Sequence, residues 1–272
     1  MTQTIETMRT TPLYLERSGD PAGPTLVFLH AIGTSSWMWR SQLEALSDFN
    51  CIAPDLPGHG KSNHIPWHSF SETARLISHI INANARGRRA HIVGLSLGAY
   101  VGLQLLSEFD VMVERAMLSG LHVLPMPNQT LMTAMNYLIA PIVTSNPMVR
   151  LNANALRIPP AEFDGYRYSA RQMSTQAFLK ASNDAVRFEM PDNLASITTP
   201  ILVAAGEREQ ALIHRSQMFL ANIMENAQPY IVPDVGHGWS LESPRLFTKT
   251  VRDWVQARPL PQRLQPVLWP SR

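Results

Sequence analysis

The chain has 272 residues, of which 45% are hydrophobic and 16% charged, enough for one large core or two smaller ones and too apolar for a disordered protein. Its 23 basic and 21 acidic residues leave a formal charge of +2 with no dense Lys/Arg run interleaved with aromatics, so nucleic acid is not an expected partner. A single cysteine, Cys51, can form neither an internal disulfide nor a thiolate metal cluster, which fits a reducing compartment.

In chain order, the opening MTQTIETMRTTPLYLERSGD places polar and charged residues where a signal peptide carries its apolar stretch, so a cytoplasmic location is expected. Strands are predicted over residues 13–17, 25–30, 51–54, 91–95, 113–118, 201–205 and 230–232. Several are apolar at almost every position, as strands of a helix-covered parallel sheet are. Helices are predicted over residues 37–47, 69–85, 98–109, 211–222 and 244–257. The alternation predicts an α/β, doubly wound, mostly parallel sheet.

The rhythm breaks between the strand ending near Leu118 and the one starting at Ile201, a gap of about 80 residues that must hold structure of its own. The expected organisation is a core from residues 1–120 and 197–257, an inserted helical cap over 121–196 and a Pro-rich tail over 258–272, extended or loosely docked. Residues 116–149 contain no Asp, Glu, Lys or Arg. Pro125, Pro127, Pro141 and Pro147 break this stretch below the roughly 18 unbroken apolar residues of a membrane span, so no stable membrane insertion is expected. Leu131, Met135, Leu138 and Ile142 fall on a helical stripe, read as packing the cap onto the body or lining a pocket for an apolar group.

The strongest chemical signal is Gly94-Leu95-Ser96-Leu97-Gly98 between a strand-like and a helical segment. Small residues on both sides let the chain turn sharply and present the Ser96 hydroxyl at a helix N-terminus, a nucleophile elbow. A serine hydroxyl needs a base, and a base needs an orienting carboxylate; in this topology the acid comes before the histidine. His237, in a Gly-flanked loop after the last strand, is the candidate base. The acid lies in Gly206-Glu207-Arg208-Glu209, with Glu209 favoured and Glu207 the alternative. Oxyanion donors are expected from the backbone N–H of Leu97 and of Ile32 in the His30-Ala31-Ile32-Gly33 turn. His30, at a strand end, is read as structural, and the turn from Asp55 to Ser62 as scaffold. Trp239, His122, Met126 and Met135 are the candidate pocket residues. The nine histidines form no ligand pair with a carboxylate on a helix face, and no GxGxxG or GxxxxGKS occurs, so neither metal nor cofactor is expected.

Taken together and in order, LVFLHAIGTSSWMW, APDLPGHGKS, IVGLSLGAYVGLQLL, PILVAAGERE and VPDVGHGWSLESPRLF resemble the α/β-hydrolase fold superfamily, in its serine hydrolase and esterase branch with a helical cap. The likeness runs from about residue 13 to residue 257. It implies an eight-stranded sheet and a Ser–acid–His triad, with a short strand near residues 5–9 as the eighth. The chain departs from the pattern with His30-Ala31 in place of His-Gly, and with Glu209 where Asp is commoner. Ser96 also argues against the aspartate-nucleophile haloalkane dehalogenases and epoxide hydrolases that this chain resembles elsewhere, and on the same ground against the cysteine-dependent dienelactone hydrolases.

The expected function is a cofactor-independent serine hydrolase of the carboxylesterase type, cleaving an ester, lactone or thioester of a small molecule with a mainly apolar group through an acyl-enzyme. Carbon–carbon bond hydrolysis or acyl transfer on the same residues, or ligand sensing with little turnover, are the alternatives, because a fold does not name its substrate.

Overall fold

Residues 12–267 are described by a computed structural model. Its strands are β1 (Leu15–Gly19), β2 (Thr25–Leu29), β3 (Asn50–Pro54), β4 (Ala90–Leu95), β5 (Val113–Ser119), β6 (Ile201–Gly206), β7 (Ala227–Val232) and β8 (Gln265–Pro266). They form one sheet in the order β1-β3-β2-β4-β5-β6-β7-β8. The inner strands β3 to β7 run parallel. The edges, β1 and β8, are antiparallel to their neighbours.

The helices are α1 (Arg40–Ala45), α2 (Phe70–Asn84), α3 (Leu97–Phe109), α4 (Gln129–Ile139), α5 (Asn146–Ala155), α6 (Phe163–Gln172), α7 (Thr175–Val186), α8 (Ala211–Ile223), α9 (Trp239–Glu242) and α10 (Pro244–Val255). Alternation along the strands divides the core. Val27, Leu29 and Ile92 point to one face, packed with Ile77 of α2 and Leu103 of α3. Leu26, Phe28 and Val93 point to the other, with Trp39, Phe247 and Trp254. Every residue of β2, β3, β4 and β6 is buried, which explains their unbroken apolar sequences. Withdrawing each large apolar side chain from water contributes about 1.5–3 kcal/mol, and this burial is the main force holding sheet and helices together.

Three sequence expectations are revised. The eighth described strand is β8, in the tail, where Val267 N–H donates to the Pro229 carbonyl (3.0 Å) and Leu264 is buried in the core; the segment 5–9 lies outside the described residues. The helix expected over 37–47 is a 3-10 turn, Ser36–Trp39, running into the shorter α1. Finally, the stripe on α4 and the turn after it is not buried: Leu131, Met135 and Leu138 of α4 and Ile142 of the following 3-10 turn are 60%, 42%, 71% and 49% exposed. Helix α4 docks instead through its polar side, where Thr133 is its one buried residue and Asn136 donates to Asn183 of α7 at 2.9 Å.

The four helices α4–α7 all lie between β5 and β6 in the chain. Helices α5 and α6 share a small core of Val149, Ala153, Tyr166 and Ala170. Helix α7 joins the main core through Ala177 and Ala181. Polar contacts tie this segment to the body: Ser174 N–H to the Gly58 carbonyl (2.8 Å), Ser35 to Ser169 (2.8 Å) and Trp67 to Asp184 (2.8 Å).

Candidate active site

Chain order reverses about β2, so the turns after β2 and β4 leave side by side at the carboxyl edge of the sheet, where open α/β sheets hold their ligands. Ser96 sits in the turn from β4 to α3 with φ 54° and ψ −116°, a conformation an L-residue adopts only under constraint. The constraint is visible. Ser96 N–H donates to the Ser119 carbonyl at 2.8 Å, and its own carbonyl accepts from Ala99 N–H at 2.8 Å. A Cβ on Gly98 would lie 2.0 Å from the Leu29 carbonyl oxygen, and one on Gly94 2.5 Å from that of Gly98, so the two small residues are what allow the helix to approach β2.

The register brings three further loops beside this turn, since Leu95 pairs with Ser119, Ser119 with Ala204, and Gly206 with Val232. His237 Nδ1 lies 2.9 Å and 3.1 Å from the two carboxylate oxygens of Glu209. With Nδ1–H donating to Glu209, Nε2 is left as the acceptor. The Glu209 side chain is 4% exposed and that of His237 28%. Burial pushes the imidazole pKa down, but the hydrogen bond and negative charge of Glu209 outweigh it, and the pKa is raised above its ordinary value. Gly120 closes the other side: its φ is +70°, and a Cβ there would stand 2.8 Å from His237 Cε1 and 3.2 Å from Glu209 Oε1.

Glu207 does not reach His237. Its Oε2 accepts from Asp234 N–H at 2.9 Å, so it braces the turn before the histidine. The residue between the two glutamates braces the same loop: Arg208 donates to the Asp234 carbonyl (2.6 Å) and to Glu242 (2.5 Å), while Glu242 accepts from Gly236 N–H (2.8 Å). Motif reading missed Arg208 and Glu242, because nothing in the sequence says that residue 242 folds back onto residue 236.

Leu97 opens α3, so its N–H is among the donors a helix leaves unpaired at its start. Ile32 lies in the turn after β2, next to the Ser96 elbow through the Leu29–Gly94 pairing. His30, fully buried, holds that turn: its Nε2 accepts from Leu56 N–H and its Nδ1–H donates to the Ala31 carbonyl, both at 2.8 Å. Burial lowers its pKa to about 4. Asp55 accepts from Ser36 and Lys61 N–H, both at 2.7 Å, and stiffens the neighbouring loop.

Ser96, His237 and Glu209 line one cavity of about 540 Å³, with Tyr100, His122 and Met126 among its walls. Trp239 and Met135, expected in the pocket, are not. Trp239 is fully buried against Phe247 and donates to Ser119 Oγ at 2.9 Å, because a large ring just after the histidine loop is drawn into the core below it. Met135 faces outward on α4. His122 is fixed by its Nδ1 contact with the Leu124 carbonyl (3.1 Å) and its edge-on packing with Tyr100. A second hollow of about 550 Å³, by Tyr14, Trp37 and Lys61, holds none of these reactive groups. Among the described residues no cluster of three or more His, Cys, Asp or Glu could hold a metal ion, and no helix is long and apolar enough to cross a membrane.

A sequence profile described as the alpha/beta hydrolase family matches residues 26–250. The chain belongs to the alpha/beta hydrolase family. It is 25% identical over 252 residues to an AB hydrolase superfamily protein of Gibberella zeae, spanning 90% of this chain and 84% of that one. It is 26% identical over 258 residues to RutD of Variovorax paradoxus, provisionally named a carbamate hydrolase, spanning 90% and 96% of the two chains. Among solved structures it is similar to a hydrolase of Pseudomonas aeruginosa, with 26% identity, TM-score 0.73 and coverage of 89% and 94%. The esterase of Exiguobacterium antarcticum, with TM-score 0.77 at 18% identity and coverage of 90% and 95%, shares the hydrolase fold.

Proposed function

We propose that this alpha/beta hydrolase is a cofactor-independent serine hydrolase of small carboxylic esters, lactones or thioesters. The observation that carries the reading is the Glu209–His237 pair in one cavity with a serine on a strained strand-to-helix turn. His237 Nε2 takes the Ser96 proton as Oγ attacks the carbonyl, and the Leu97 and Ile32 N–H groups hold the oxyanion. The imidazolium then gives its proton to the leaving group, and water repeats the sequence on the acyl-enzyme. Glu209, nearly sealed from water, keeps the imidazole in the tautomer that leaves Nε2 free.

In this reading residues 121–196 form a cap over a body of residues 1–120 and 197–257. Support comes from the cavity walls, where Met126, Leu156 and Val186 of the segment face Ser96 and His237. Those apolar walls suit an apolar acyl or alcohol group. The likeness to RutD extends the candidate bonds to carbamates, which the same residues would cleave by the same acyl chemistry.

Turnover of p-nitrophenyl esters from acetate to laurate, with a p-nitrophenyl carbamate in parallel, tests the reading. Loss of at least about a thousandfold in kcat is expected for Ser96→Ala and for His237→Ala. Release of at most one equivalent by the wild type would overturn the enzyme reading in favour of a slow ligand-sensing role.

A further inference from the structure

The cavity beside Ser96 is lined by two carboxylates and two guanidinium groups besides its imidazoles. Three of these four charges are committed. Glu209 is held by His237, and Glu242 by both Arg208 and the Gly236 N–H. The fourth, Arg157, has no ion pair or side-chain hydrogen bond among the described residues, and it is exposed.

Arg157 is also held in an unusual place. It ends α5 in the left-handed region, with φ 52°. Its N–H donates to the Asn154 carbonyl (3.1 Å), and the next N–H, of Ile158, reaches back to the Ala153 carbonyl (2.9 Å). That is the helix-ending turn in which glycine is favoured, because a Cβ strains the backbone there. A long cationic side chain therefore occupies a position where local structure prefers none. The end of α5 abuts the histidine loop: a Cβ on Gly238 would stand 3.0 Å from the Leu156 carbonyl oxygen. The other cavity-lining residues of this segment, His122, Met126, Ala155, Leu156, Ala185 and Val186, carry no acidic or basic side chain apart from the imidazole, so Arg157 is the cation that the segment brings to the cavity.

We propose that Arg157 is a substrate-binding residue that receives a carboxylate, making the preferred substrate an ester with an apolar body and an anionic end remote from the scissile bond. The proposal rests on the hydrolase reading above and deepens it. A guanidinium fork offers a carboxylate paired, charge-assisted hydrogen bonds, which a neutral chain end of equal length cannot accept. At the rim of a cavity such contacts act on binding more than on the chemical step, so the effect belongs in KM.

The test compares mono-p-nitrophenyl adipate with p-nitrophenyl hexanoate, acyl chains of equal carbon count with and without a terminal carboxylate. Arg157→Gln is expected to lower kcat/KM for the adipate ester about tenfold more than for the hexanoate ester, mainly through KM, with Arg157→Lys recovering part of the difference. Added salt should slow the wild type on the adipate ester and spare the hexanoate ester. Equal losses on both esters would overturn the proposal. Binding of monomethyl adipate to Ser96→Ala by calorimetry separates the two readings. Binding that weakens about tenfold in Ser96→Ala/Arg157→Gln supports the anion site even if the wild type turns over neither ester, in which case the hydrolase reading fails alone. Undetectable or Arg157-independent binding alongside normal turnover overturns the anion site alone.

Discussion

Two glutamates separated by one residue are chemically alike and differ only in what they touch. Glu209 lies against His237 Nδ1, whereas Glu207 caps the Asp234 N–H on the exposed side. Glu209→Gln is expected to cut kcat/KM on the order of a hundredfold or more, since an amide holds the imidazole weakly and stabilises no imidazolium. Glu207→Gln keeps an oxygen acceptor and should stay within about twofold. The sign of the pH effect follows from the same contact. In the proposed mechanism His237 acts as a base only when neutral, and its pKa is raised, so kcat/KM should fall on the acid side with a midpoint above the roughly 6.5 of free imidazole. In Glu209→Gln the negative charge is removed and the hydrogen bond weakened while burial remains, so the midpoint should move down; pH profiles of the two glutamate variants check this, and an unmoved midpoint would sink the assignment.

The loop that carries His237 is held less by its own turn than by neighbouring elements. Asp234 has φ 60° and spends its backbone N–H on Glu207 and its carbonyl on Arg208, both from the turn after β6. Glu242 of α9 closes the clamp on the Gly236 N–H. Glu242→Ala would leave that buried donor without a partner and remove the Arg208 ion pair, at a cost of about 1–3 kcal/mol. Expected outcomes are a melting temperature lower by several degrees and a loss in kcat larger than the change in KM, because the proposed base, His237, is displaced rather than the pocket. Thermal melts and steady-state kinetics on one preparation check both; an unchanged kcat with a lowered melting temperature would show that the clamp stabilises without positioning.

Across the whole molecule, two histidines unused by the proposed chemistry make stability depend on pH. His30 and His59 are fully buried with rings 5.1 Å apart. Burial holds their pKa values at about 4 and about 3, with the His30 charge adding to the effect on His59. In the unfolded chain both take up protons near 6.5, so between about 6.5 and 4 the unfolded state binds more protons and stability falls as the pH is lowered. Urea midpoints at pH 7.5, 5.5 and 4.5 should decline in that order, and less steeply in His59→Gln. The α/β class, the parallel sheet, the family and the candidacies of Ser96 and His237 were legible in the sequence, because continuous apolar strands and a Gly-flanked serine between strand and helix are local patterns with local causes. The separation of Glu209 from Glu207, the Arg208–Glu242 clamp, the burial of Trp239 and the outward face of α4 were decided only in three dimensions. Periodicity shows that one side of a helix is apolar, and chain order shows that an acid precedes a base. What covers that side, and which of two neighbouring carboxylates reaches the ring, depends on how distant segments pack.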